Sequence, residues 1–508
     1  MKLSKNILKD INAGEVSVPG SSYFDLPEKV LQFGTGVLLR GLPDYYIDKA
    51  NKENIFNGRI VVVKSTATSG ADTFDQQDGL YTHCIRGISG GNLLNNYIVN
   101  ASIRRVLSAA VHWKEILALS ASADMQIIIS NTTEAGLVLM SSDRINAGVP
   151  ASFPGKLLAF LHSRWKHFSG SSDSGMVILP TELVPENANL LEDILDELAQ
   201  LNELEDSFIV WLHTANHFCN TLVDRIVPGK LSADMAETAA AHLGYEDDLM
   251  IMSEPFSLWA IESDSDDVRS KLSFSKADKG IVIAPSITKF RELKLRLLNG
   301  THTFSCAPAI LAGFETVKEA MSSTAFVAYL NQLMQHEIAI CIMDEHISPD
   351  DAIHFSEQVL ERFANPYIEH RWISIAVNFT EKMCRRNLPL IQKYYGLNNQ
   401  VPEMMTIGFA AFLFFMRSAV EEEGKYSVSY NGRTHQLEDP NSIIFCEAAK
   451  SSNTEQYVHK ILANQSLWQM DLSVLNGFEN ELVTCMGQFE TSGVNNVLEA
   501  ITSKNAGE

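Results

Sequence analysis

Short β-branched runs alternate with helical stretches through the first half of the chain. "EKVLQFG" (28–34), "GRIVVVKS" (58–65), "MQIIIS" (125–130), "GMVILP" (175–180) and "GIVIAP" (280–285) are apolar runs of strand length. Between them, "LLEDILDELAQL" (190–201) repeats its apolar positions at helical spacing. Continuous apolar strands separated by helices predict a parallel sheet covered on both faces. Past residue 285 the strand pattern nearly disappears, and "AFVAYLNQLMQHEIAIC", "DAIHFSEQVLERFA" and "TIGFAAFLFFMRSAVEEE" carry helical periodicity. One exception is "YSVSYNGRTHQLED" (426–439), where Asn431-Gly432 between alternating residues predicts a small hairpin. The expectation is an α/β domain over 1–285 followed by a mostly α-helical domain over 286–508.

Composition narrows the function by exclusion. The 508 residues are 45% apolar and 20% charged, the balance of an ordinary soluble globular protein. Acidic residues outnumber basic ones 62 to 40, and the formal net charge of −22 would repel both nucleic-acid backbones and anionic membranes. An anionic ligand would need a local pocket of Lys, Arg or helix N-termini. The seven cysteines (84, 219, 306, 341, 384, 446 and 485) are odd in number and form no C-x-x-C pair. Buried free thiols in a reducing cytosol are therefore expected, without a disulfide framework or zinc knuckle. The start "MKLSKNILKDINAGEV" has no apolar core of a signal peptide, and "IGFAAFLFFM" (407–416) is about half the length of a membrane span, so a cytoplasmic protein with a buried helix is expected. The oligomeric state is left open, monomer included.

Two places carry candidate chemistry. "KVLQFGTGVLLRG" sets Gly34, Thr35 and Gly36 directly after the first strand and before a helical pattern. Such a turn lets the backbone approach a pyrophosphate at a helix N-terminus. Leu39 stands where the third glycine of G-x-G-x-x-G would be. The second strand should end in an acidic residue that bonds the ribose, but it ends in Lys64, Ser65 and Thr66. Those residues leave NAD against NADP open, and Lys64 is equally a solvated strand end.

The second place is "RELKLRLLNGTHTF" (291–304), which holds Lys294, Asn299 and His302. On an α-helix these three fall at about 0°, 140° and 80°, one broad face. A partly desolvated lysine serves as general acid or base, an asparagine amide steadies a developing alkoxide, and a histidine fixes a hydroxyl. The trio suits carbonyl reduction beside a nicotinamide, although an exposed Lys, a capping Asn and a packed His are each commonplace. The histidines show no H-E-x-x-H or other ligand spacing, so no metal is expected.

These residues, with "QQDGLYTHCIRG" (76–87), "SNTTEAG" (130–136), "NTLVDRIVPG" (220–229) and "RFANPYIEH" (362–370), resemble the polyol-specific long-chain (mannitol) dehydrogenase family nearly end to end. K-x-x-x-x-N-x-x-H is that family's catalytic signature. The resemblance implies a Rossmann-like NAD-binding domain, a helical substrate domain and metal-independent hydride transfer. Lys294 would be the acid/base, Asn299 would steady the oxyanion and His302 would orient substrate. The loop at Asn131, Thr132 and Glu134 would border the nicotinamide.

Departures from the family pattern point to its hexuronate branch. Mannitol-type members carry a Cys-Asp-Asn run whose Asn is a second oxyanion donor, whereas the aligned run is Thr181-Glu182-Leu183. After "RFANP", an Asp and an Arg of the polyol enzymes are replaced by His370 and Ser374, while Lys382 is kept. Lys382, His370 and Arg386 would contact substrate. Arg386 is a candidate for a carboxylate, given its bidentate fit, or else a surface ion-pair partner. The resemblance thus implies reduction of the sugar acid D-tagaturonate by NADH, and its reverse. Fructuronate, mannitol or arabinitol chemistry is the alternative within the family, and an inactive NADH-binding sugar-acid sensor is the alternative outside it.

Overall fold

The computed structural model describes residues 1–12, 14–64, 71–132, 136–450 and 453–505, in two compact units, Met1–Ile287 and Thr288–Glu508. The first unit is built on six parallel strands: β1 (Glu28–Phe33), β2 (Arg59–Lys64), β3 (Ile103–Ser108), β4 (Ile127–Ser130), β5 (Val177–Pro180) and β6 (His217–Phe218). Their spatial order is β3-β2-β1-β4-β5-β6, the order of a dinucleotide-binding sheet, with the direction of winding reversing between β1 and β4. Phe33 sits opposite Val63 on one side and Ser130 on the other, which brings the ends of β2, β1 and β4 level.

Strands β1 to β5 divide their apolar residues between two cores. Leu31, Val61, Val63, Ile128 and Ile178 face helices that include Phe153–His167 and Asn187–Leu201. Val30, Ile60, Val62, Ile127, Ile129 and Val177 face the opposite core. This double burial explains why β2, β4 and β5 read as nearly continuous apolar runs, with Gln32 the one buried polar residue inside that of β1. No such run marks β3, because Arg104 and Arg105 interrupt it at the sheet edge. Arg105 is instead held bidentately by Glu28 of β1, with Nε–Oε1 at 2.8 Å and Nη2–Oε2 at 2.9 Å.

The run at 280–285 does form a strand, Ile281–Ala284, but not in the six-stranded sheet. It lies parallel to Leu258–Glu262, which pairs antiparallel with Thr221–Asp224. The helix expected after the glycine turn is two helices, α1 (Val37–Gly41) and α2 (Pro43–Lys52), broken at Leu42 (φ −131°, ψ −79°). A residue before proline is driven out of the α region, and Pro43 then begins α2 where its missing N–H costs nothing.

The second unit is mostly helical. Its central helix α4 (Glu403–Arg417) packs against α3 (Thr301–Ala312) and α5 (Phe478–Asn505). Gly408 allows the first contact, since a Cβ there would stand 2.8 Å from Phe304 O. Pro308 lies inside α3 and removes one backbone donor; the freed Phe304 carbonyl has Tyr329 Oη 3.4 Å away. The hairpin is Lys425–Tyr430 and Arg433–Leu437, turned by Asn431 (φ 51°) and Gly432 (φ 74°). All seven cysteines are free and five are buried. Among the described residues no helix is long and apolar enough to cross a membrane.

Candidate active site

In the first unit, Gly34, Thr35 and Gly36 form the turn between β1 and α1 at the reversal of the sheet. Gly34 has φ +123°, and a Cβ there would stand 2.9 Å from Asn131 O and 3.0 Å from Leu39 Cδ1. Only glycine closes this turn against the end of β4. Asn131 N donates to Phe33 O (3.1 Å), and its side-chain amide donates to Thr181 O and Oγ1 (both 3.0 Å). The expected cofactor residues Gly34, Thr35, Gly36, Asn131 and Thr132 therefore share one crevice at the carboxyl ends of β1 and β4. That is where open α/β sheets bind a dinucleotide, and the glycine-only turn fits one. Lys64 is buried at the end of β2. Glu134, Ser65 and Thr66 lie outside the described residues.

In the second unit the segment carrying Lys294 and Asn299 is not the α-helix assumed from spacing. Thr288–Glu292 is α-helical, Leu293–Gly300 is a π-helix, and α3 continues from Thr301. A π-helix bonds residue i to i+5, so Lys294 and Asn299, five apart, come more nearly into line than an α-helix would allow. The wide turn is braced from a second π-helical segment, Met383–Asn387. Arg296 Nη1 donates to Arg385 O (3.1 Å) and Arg386 O (2.7 Å), while Asn387 Nδ2 donates to Gly300 O (3.0 Å). Thr303 Oγ1 donates to Asn299 O (2.8 Å) and accepts from Arg386 Nη1 (3.3 Å).

His302 lies in the first turn of α3 and is buried. Its ring stacks on Phe363 (centroids 4.1 Å apart, 19° between planes) and meets His370 edge-on at 5.2 Å and Trp372 at 6.1 Å. Burial first, and then the nearby charges of His370, Arg362, Arg386 and Lys382, hold its pKa well below the ordinary histidine value. His302 is therefore a neutral imidazole, and its Nε2 has no hydrogen-bond partner among the described residues. His370 is lowered by burial and by Lys382, and Lys382 is lowered by burial and by Arg386. Burial also lowers Arg386. Lys382 Nζ donates to Ile375 O (2.9 Å). Neither Lys382 nor Arg386 has a carboxylate within ion-pair distance among the described residues. His302, His370, Lys382 and Arg386 thus form one electrostatically coupled cluster, in which Lys382 and Arg386 carry the positive charge and Phe363 and Trp372 flank the His302 ring.

Three participants carry no spacing signal. Phe363 belongs to the quoted "RFANP" run, but its stacking on His302 is visible only in the fold. Thr303 meets Arg386 across 83 positions of sequence. Glu182 is buried and accepts from Thr132 and Ser130 about 50 positions away. Leu183 is 62% exposed and offers no donor, and Ser374 is exposed.

Comparison with known proteins agrees with this architecture. Residues 28–273 match the mannitol dehydrogenase Rossmann domain and residues 286–489 the mannitol dehydrogenase C-terminal domain. An altronate oxidoreductase of Bacillus subtilis is 34% identical over 480 residues, covering 94% of this chain and 96% of that protein. One from Halalkalibacterium halodurans is 36% identical over 459 residues, 88% of each chain. Among solved structures, a D-sorbitol dehydrogenase in substrate-free form superposes with TM-score 0.81 at 20% identity, covering 97% of this chain and 99% of that one. A Pseudomonas fluorescens mannitol 2-dehydrogenase in complex with NAD and D-mannitol gives 0.69 at 20% identity, covering 99% and 100%. With both domain models matched and relatives above 30% identity along most of its length, the chain belongs to the mannitol dehydrogenase family.

Proposed function

We propose that this protein is an NAD-dependent ketose reductase that reduces D-tagaturonate to D-altronate and catalyses the reverse oxidation. The observation that carries the substrate class is the pair Lys382 and Arg386. Both are partly withdrawn from water without a carboxylate partner among the described residues, in a chain of net charge −22. Buried charge is costly unless paired, so a carboxylate on the ligand is the natural complement. Arg386, anchored by Thr303, would take the carboxylate in its fork, with Lys382 beside it. The altronate oxidoreductase relatives support the same substrate class.

NADH, when bound in the crevice at Gly34–Gly36 and Asn131–Thr132, supplies the hydride that the ketone carbon accepts. As negative charge gathers on the carbonyl oxygen, the Asn299 amide donates a hydrogen bond to it and the Lys294 ammonium gives it a proton. In the oxidation the neutral lysine takes that proton back. His302, kept uncharged by burial, offers its unpartnered Nε2 to a substrate hydroxyl. The rings of Phe363 and Trp372 fix its orientation and exclude water from one side.

The test is NADH consumption with D-tagaturonate, D-fructuronate and D-fructose offered in parallel, with NADPH as cofactor control. Preference for tagaturonate with NADH is expected. Preference for fructuronate would keep the carboxylate pocket and reassign the substrate, and preference for fructose would overturn the roles of Lys382 and Arg386. NADH binding without turnover on any of them would instead mark a sugar-acid sensor.

A further inference from the structure

Glu182 follows the end of β5, is 3% exposed and has no Lys, Arg or His within ion-pair distance among the described residues. A carboxylate so placed is costly, and it is retained where its hydrogen bonds accomplish something a neutral side chain cannot. All its bonds go to one short segment. Oε1 accepts from Thr132 N (2.8 Å) and Thr132 Oγ1 (3.0 Å), and Oε2 accepts from Ser130 Oγ (3.1 Å). Thr181 completes the grip, its N and Oγ1 both donating to Ser130 O at 2.8 and 2.7 Å. On its other side the segment abuts the glycine turn through Asn131 O, which leaves no room for a Cβ at Gly34.

We infer that Glu182 is a positioning residue for the dinucleotide. It acts through Ser130–Thr132, holding that segment at the height where the β1 turn and the β4 end form the two walls of the crevice. A carboxylate suits the task because it only accepts, and three donors of the segment converge on it. A glutamine of the same shape would turn an N–H₂ toward either Thr132 or Ser130, so the segment would lose part of its hold. The inference rests on the dinucleotide reading of the crevice and is independent of the substrate.

The experiment measures NADH affinity of the full-length protein by quenching of tryptophan fluorescence, in wild type, Glu182→Gln, Thr132→Val and the double variant. Each single variant is expected to raise the Kd for NADH by about tenfold, the effect of weakening charge-assisted hydrogen bonds. The double variant should add less than the sum of the two, since both weaken the Glu182–Thr132 contact. In turnover, the KM for NADH should rise while the KM for the sugar substrate does not. An unchanged Kd in either folded single variant would overturn the inference, including the case in which only Tm falls. If Glu182→Gln does not fold, Thr132→Val alone decides, with a raised Kd expected and an unchanged one contradicting. A wild type that does not bind NADH would instead refute the dinucleotide reading itself.

Discussion

Thr303→Val tests how the two π-helical segments are joined. Thr303 is fully buried and its hydroxyl does two things: it donates to Asn299 O at 2.8 Å and accepts from the Arg386 guanidinium at 3.3 Å. Valine keeps the volume and removes both bonds. The first is a neutral hydrogen bond, about 1 kcal/mol net, and the second involves a charged donor at long range, about 1–2 kcal/mol, giving roughly 2–3 kcal/mol together. For a unit of this size that corresponds to a fall in Tm of about 4–12 °C. The same change unfastens Arg386, so the KM for a carboxylate-bearing ketose should rise about tenfold while that for fructose rises less. Thr303→Ser, which keeps the hydroxyl, should restore most of the discrimination. Thermal melts and steady-state kinetics on the three proteins are sufficient. A Thr303→Val enzyme with wild-type Tm and unaltered preference between charged and neutral ketoses would refute the reasoning.

Gly34→Ala should weaken NADH binding by about tenfold or more, because the turn needs φ +123° and the added carbon would stand 2.9 Å from Asn131 O; a fluorescence titration with unchanged Kd would contradict this. Glu337→Gln should show a pH-dependent stability difference from wild type. Burial pushes the Glu337 carboxyl up to about 7 while it accepts from Met404 N (2.7 Å) and Met405 N (2.8 Å). Because its folded pKa is raised, its contribution is complete below the unfolded value of about 4.3 and is lost as pH rises through about 7. The stability gap between wild type and Glu337→Gln should therefore narrow from pH 5 to pH 8, by the order of a few kcal/mol in denaturant melts; a gap independent of pH would count against it. The buried neutral histidines His83 and His302 act in the opposite sense, losing stability as pH falls below about 6.5, but equally in both proteins.

The parts of the fold that were legible in the sequence are those with repeated local pattern. β1, β2, β4 and β5 are buried on both faces along their centres and so are mostly apolar there, and the Asn431-Gly432 turn requires the positive φ values its residues tolerate. β3 was hidden because an edge strand tolerates Arg104 and Arg105, and strand length alone could not place Ile281–Ala284 in a separate sheet. Within the candidate site, the spacing of Lys294, Asn299 and His302 is legible in the sequence, but not the π-helix that realigns the first two. That widening depends on Arg296, Asn387 and Thr303 bonding across the segment, contacts made between residues far apart in sequence. Glu182 was visible only as a departure from the family's Cys-Asp-Asn run, since its partners lie across the sheet.

The central claim is that Lys294 carries the proton in a ketone reduction. The most direct measurement is kcat of Lys294→Ala with NADH and D-tagaturonate, alongside NADH affinity from fluorescence and rescue by added methylamine. The expected result is a loss of kcat of about 10²–10⁴-fold with NADH binding intact and partial recovery by the amine. A Lys294→Ala protein that turns over at the wild-type rate would contradict it.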